Sequence, residues 1–140
     1  MESWWVKSSR LQKVFAFLPG FVWGLTITYF SLIRGREIPS FLLSFKDLLL
    51  HGSMYFTIYV LYYMGLIGWN FSYLPPKKVN QWLLVGLGIA AGGILEILQE
   101  TVAIDRSGTW EDLAANSLGA LSGFGLMWAI HRRFIGSSET

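Results

Sequence analysis

Four apolar runs, each close to 20 residues long, leave this chain few ways to fold. They are VFAFLPGFVWGLTITYFSLI (14–33), LLLHGSMYFTIYVLYYMGLIGW (48–69), VNQWLLVGLGIAAGGILEIL (79–98) and LAANSLGALSGFGLMWAIHR (113–132). A helix needs about 20 apolar residues to cross a bilayer's hydrocarbon core, and in lipid a helix satisfies its own backbone. The runs therefore predict one all-α domain over 1–140, a bundle of four transmembrane helices in two hairpins. Hydrophobic residues make up 53% of the chain and charged residues 14%, too few to coat a soluble domain of 140 residues. The first run is longer than a signal-peptide core and reads as a retained span, kinked at Pro19-Gly20. A net charge of +2 leaves no footprint for nucleic acid, and the absence of cysteine removes thiol chemistry.

Orientation follows from the basic residues. Lys7, Arg10, Lys13, Lys77, Lys78, Arg132 and Arg133 fall on one side, and Arg34, Arg36, Lys46 and Arg106 on the other. Basic residues accumulate on the cytoplasmic side, which predicts both termini and the Pro75-Pro76 loop inside the cell. Glu37, Asp47, Glu96, Glu100, Asp105, Glu111 and Asp112 then gather at the outer ends of the spans, so the chemistry belongs there. Trp4, Trp5, Trp69, Trp82 and Trp128 read as an interfacial belt, and His131, before two arginines, as an inner-surface anchor.

An internal repeat points to the same end of the molecule. SFKDLLLH (44–51) resembles TWEDLAAN (109–116) at an offset of 65, which relates the first hairpin to the second. Asp47 and His51 lie four apart on one helix face, as do Asp112 and Asn116. Each Asp also follows a hydroxyl by three positions, close to a capping box, so both can act as helix caps. Capping leaves His51 and Asn116 unexplained, a turn deeper.

Glu96 and Gln99 continue the face of Gly88 and Gly92, while Asp112 and Asn116 continue into Gly119 and Gly123. Small residues let membrane helices approach closely. The expectation is that these glycine faces dock the third span on the fourth, bringing Glu96 and Gln99 to Asn116 and Asp112. An ionisable group inside a span is a functional candidate by default. Arg106 is the natural partner for these acids or for a phosphate, aided by helix N-termini. Asp47, His51, Glu96 and Asp112 could together ligate an ion. With one histidine and no cysteine among them, the expectation is a polar site without metal or cofactor.

These residues resemble the VanZ-like family of small bacterial membrane proteins. The resemblance rests on FKDLLLHGSMY (45–55), ILEILQ (94–99), and the run from Arg106 through DLAANSLGALSG (112–123). The family pattern is Asp-x-x-x-His, then Glu-x-x-Gln, then an Arg before Asp-x-x-x-Asn-x-x-Gly-x-x-x-Gly. Asp47, His51, Glu96, Gln99, Arg106, Asp112, Asn116, Gly119 and Gly123 match it in order, and Ser31 fits a family serine. The chain departs where the family has Lys after the Asp: here Leu48 follows and Lys46 precedes. Gly52 also replaces the usual apolar residue after the His. The resemblance implies a multi-pass protein of the bacterial plasma membrane and, through the family's namesake, lowered susceptibility to the lipoglycopeptide teicoplanin.

Four functional readings follow. The leading one is a shallow outer-leaflet site, with Ser31, Gln99, Arg106, Asp112 and Asn116 as binding groups. It would engage membrane lipid, a lipid-linked cell-wall intermediate or a lipoglycopeptide. A hydrolase or transferase would use His51 oriented by Asp47, or Glu96, as general base and Ser31 as nucleophile. A small transporter would relay protons through Glu96 and His51, and would require an oligomer. An accessory subunit would dock a larger membrane partner through its glycines.

Overall fold

A computed structural model describes residues 4–33, 47–73, 75, 80–104 and 107–136. Its five helices are α1 (Trp4–Lys7), α2 (Arg10–Leu32), α3 (Asp47–Leu66), α4 (Gln81–Thr101) and α5 (Trp110–Gly136). All regular structure among the described residues is helical. α2, α4 and α5 are long and apolar enough to cross a membrane. α3 is equally a 20-residue helix, but Asp47, His51 and four tyrosines dilute its apolar character.

α2, α4 and α5 each start where the sequence supplies a cap. Ser9 Oγ accepts from Gln12 N while Gln12 Oε1 accepts from Ser9 N, a complete capping box at the head of α2. Asn80 Oδ1 accepts from Trp82 N at α4, and Thr109 Oγ1 accepts from Asp112 N at α5. α2 runs through Pro19 as one element. Beside that proline, Ala16 O accepts from Trp69 Nε1 at 2.8 Å, and Leu66 O accepts from Trp5 Nε1 at 2.8 Å. Two of the belt tryptophans are thus structural ties: Trp69 joins the end of α3 to α2, and Trp5 joins α1 to the end of α3. α3 ends on Gly68 and Trp69, both with φ of 61°, and Trp69 N donates to Met64 O at 2.8 Å. That closes a helix through left-handed backbone, which glycine adopts freely and Trp69 adopts under strain.

The most extensive interface joins α3 to α5, with α2 packed on α3 and α4 packed on α5. Tyr59, Tyr63, Ile67, Val85, Ala120 and Met127 form the core. Outward faces are apolar: Val14, Phe15, Leu18 and Val22 on α2, and Leu83 and Ile94 on α4, are exposed. This inverts the pattern of a water-soluble bundle.

The glycines dock differently from the sequence expectation. Gly119 and Gly123 face α3, not α4. A Cβ on Gly119 would run into Gly52 O and reach 3.0 Å from Phe56 N; one on Gly123 would meet Phe56 O at 3.0 Å. Gly88 and Gly92 do face α5, but meet Ala120 and Asn116 there. Periodicity specifies which residues share a face, not which neighbour that face meets. His131 also departs from expectation. It lies at steps of four beyond Gly119, Gly123 and Met127 on the face turned to α3, is buried, and pairs through Nδ1 with Tyr63 Oη at 2.9 Å. It is an interior residue, not a surface anchor.

Candidate functional site

The first turns of α3 and α5 meet the last turns of α4, and their polar side chains converge. His51, 6% exposed, sits one turn into α3. Its Nδ1 lies 3.2 Å from Asn116 Oδ1 and 3.6 Å from Glu96 Oε1. Its Nε2 lies 3.7 Å from Asp47 Oδ1 and 4.0 Å from Asp112 Oδ1. Asn116 Nδ2 donates to Glu96 Oε1 at 3.2 Å, completing a buried triad across three helices. Glu96, Asp112, Asn116 and Gln99 are all buried, whereas the Asp47 side chain is 69% exposed and forms the open rim.

The loop before α5 holds two of these acids. Thr109 N donates to Glu96 Oε2 at 3.2 Å. Thr109 Oγ1 donates to Asp112 Oδ2 at 2.8 Å and accepts from Asp112 N at 3.1 Å. Gly108 N donates to Glu100 Oε2 at 3.2 Å, and a Cβ on Gly108 would strike Glu96 O. Glycine is required there because the loop lies directly on the end of α4. The cap is Thr109 rather than Asp112, whose carboxylate receives the Thr109 hydroxyl on one oxygen while Thr109 N turns to Glu96. The other Asp112 oxygen faces His51.

Sequence-expected residues divide into three groups. Asp47, His51, Glu96, Asp112 and Asn116 come together. Gln99 and Ser31 form a second contact, Gln99 Nε2 donating to the Ser31 carbonyl at 3.1 Å. Ser31 thus anchors α4 through its backbone, and no hydrogen bond among the described residues links it to His51 or Glu96. Arg106 lies outside the described residues, as do Arg34, Lys46 and Ser44.

Sequence reasoning passed over Thr109's grip on Glu96, and also Tyr55. Buried one turn below His51, the Tyr55 ring stands 3.3 Å from where a Gly92 Cβ would be, next to Asn116. The signal was available: His51, Tyr55, Tyr59 and Tyr63 recur every four residues, and all four are buried. Tyr55 and Tyr59 also line a cavity of ≈ 550 Å³ between α2, α3 and α4, whose other walls include Phe21, Leu25, Leu84 and Leu95. Tyr59 Oη is buried in that wall with no hydrogen-bond partner among the described residues. A buried polar group left unpaired is uncommon in a native interior.

Donor–acceptor logic assigns the triad. Asn116 uses its NH₂ on the Glu96 carboxylate, so its Oδ1 is the acceptor that His51 Nδ1–H must meet. The arrangement can hold a positive charge at Nε2, accept from a polyol, or orient the imidazole. Asp47, His51 and Asp112 each present one donor atom, all within 4.8 Å of one another. Compared with family models, curated proteins and solved structures, the chain matches none.

Proposed function

We propose that the chain is a four-span protein of the bacterial plasma membrane whose outer-leaflet site binds an amphipathic, lipid-linked envelope molecule. In this reading α3 is the fourth span. Its 20 residues reach about 30 Å, and α2 and α5 cover it on two sides, so its tyrosines face protein rather than lipid. Both termini lie in the cytoplasm, following the seven-to-four division of basic residues.

One observation carries the binding reading: the polar triad and the ≈ 550 Å³ apolar cavity share a wall at Tyr55. A polar rim above an apolar slot is the shape of a site for a headgroup with its chain. The cavity runs along α4 from Leu84 to Leu95, about 16 Å of helix, or roughly half the hydrocarbon core. Hydroxyls of a sugar headgroup would donate to Glu96 and Asp112, and the chain would lie in the slot against Tyr55 and Tyr59. The family resemblance adds the class of ligand, a lipid-linked cell-wall intermediate or a lipoglycopeptide tail, and with it lowered teicoplanin susceptibility.

The test is retention of a polyprenyl-phosphate sugar by purified protein, read by native mass spectrometry. Ala91→Phe, which projects bulk into the cavity from an exposed α4 position, should abolish retention while the protein stays folded. Undiminished retention in Ala91→Phe and Glu96→Gln alike would reject the site.

A further inference from the structure

The tautomer of His51 has a consequence for its other nitrogen. With the proton on Nδ1, the Nε2 atom of a neutral ring carries a lone pair. That lone pair faces Asp47 Oδ1 at 3.7 Å and Asp112 Oδ1 at 4.0 Å. Three electron-rich atoms thus surround a common point, on a ring that is 6% exposed. They repel unless positive charge sits among them. A second proton on the ring would add positive charge there, but it leaves this geometry without a hydrogen bond, because both separations exceed hydrogen-bond reach.

A metal ion does satisfy it. Zinc-type bonds to imidazole nitrogen are about 2.0–2.1 Å and to carboxylate oxygen about 2.0–2.2 Å. Two donors sharing one ion therefore stand about 3.4 Å apart at a tetrahedral angle, and up to about 4.3 Å when opposed. The His51–carboxylate separations fall in that interval, and the outer limit of 4.8 Å for the whole set closes with a small swing of the exposed Asp47. We propose that Asp47 Oδ1, His51 Nε2 and Asp112 Oδ1 hold one first-row divalent metal ion.

The surroundings match such a role. A metal-ligating histidine usually donates its other ring N–H to a fixed acceptor, which sets tautomer and orientation. Here Nδ1–H meets Asn116 Oδ1, Asn116 is held by Glu96, and Glu96 by Thr109 N. The second oxygen of Asp112 is held by Thr109 Oγ1. One imidazole and two carboxylates, with no thiolate, favour manganese or zinc over copper(I) or a cluster. Three protein donors with one exposed ligand leave coordination positions open toward the outer surface. Resting on the lipid reading above, the ion also removes an electrostatic conflict. Asp47, Glu96 and Asp112 alone would repel a phosphate, whereas a bound divalent ion would ligate one of its oxygens.

The experiment uses full-length, metal-stripped protein in detergent micelles, titrated with Mn²⁺ alone, the free ion counted by electron paramagnetic resonance. Zn²⁺ is added in competition. One Mn²⁺ or Zn²⁺ per chain is expected, with affinity at least about tenfold weaker in Asp47→Asn and in Asp112→Asn. Glu100→Gln, at a neighbouring exposed carboxylate, should bind like the unaltered protein. The proposal is overturned if neither ion binds stoichiometrically, or if both Asn variants bind unchanged. Asp47→Asn alters an exposed, near-isosteric side chain, so its fold is secure and its result decisive. Lipid retention in chelator, measured alongside, separates the two readings. Lipid bound with no ion site sinks only the metal; an ion site with no lipid under any condition sinks only the lipid reading.

Discussion

Gly119→Ala is the most direct test of how α5 meets α3. The added methyl would be driven into the Gly52 carbonyl, with Phe56 N also 3.0 Å away. Both are backbone atoms, so no rotamer change relieves the clash and the two helices must part. A gap of about 0.5–1 Å forfeits a quarter to a half of each dispersion contact it opens, here along the most extensive interface of the fold. Overpacking of this kind costs about 1–3 kcal/mol, set against a helix-propensity gain of about 0.5–1 kcal/mol. The net expectation is destabilisation by about 0.5–2 kcal/mol. Gly86→Ala and Gly125→Ala isolate the propensity term, since a Cβ at either position meets nothing within 4 Å. Thermal unfolding in detergent should place Gly119→Ala below the unaltered protein by several degrees and the two controls at or above it. The damage should also reach the site, because Gly52 adjoins His51 and Gly119 lies one turn from Asn116. A Gly119→Ala protein as stable as the Gly86→Ala control would refute the close backbone approach and the helix pairing built on it.

Three smaller predictions follow from single contacts. Thr109→Ala removes the cap on Asp112 N and the hydroxyl bound to its carboxylate, and should lower stability by about 1 kcal/mol in thermal unfolding, with Thr109→Ser restoring most of it. Tyr63→Phe leaves His131 Nδ1 without its 2.9 Å partner, on a ring whose Nε2 already has none among the described residues; chemical denaturation should report a loss of about 1–3 kcal/mol. Tyr59→Phe deletes a buried hydroxyl that bonds to nothing described, so its melting temperature should be unchanged or raised; a marked loss of stability would mean that the hydroxyl has a partner within the protein.

The helices were legible because each apolar run has span length. Their starts were less so: the caps Ser9 and Asn80 went unread, and Asn80 was placed inside the third span. The site was legible because carboxylates and amides in apolar helices stand out against their surroundings. Spacing by four then aligned Asp47 with His51 and Asp112 with Asn116. Partner choice was not legible. Gly119 and Gly88 look alike in sequence, yet one faces a backbone carbonyl and the other an alanine methyl. Nor does hydropathy separate a tyrosine lining a cavity from one at an interface, which is why the 55-59-63 stripe stayed hidden. His131 was misplaced for a related reason: its arginine neighbours describe the chain's position along the membrane normal, whereas burial depends on azimuth around the helix.

The polar groups meet because α3 and α5, which open on Asp47 and just before Asp112, pack against each other. α2 packs on α3 and α4 on α5, and α3 and α5 form the seam between the two hairpins. Equivalent positions approach each other at such a seam, and His51 and Asn116, 65 apart, share a hydrogen bond there. Identical residues would meet like with like: two amides can pair, but neither presents an aromatic nitrogen to the acids above. What breaks the tie is Glu96, whose equivalent in the first hairpin is Ser31. Only the α4 side carries a carboxylate, so it takes the Asn116 NH₂, turns the amide oxygen to His51, and thereby determines which imidazole nitrogen faces Asp47 and Asp112. The α3–α5 seam supplies the juxtaposition, and one acid on α4 supplies its direction.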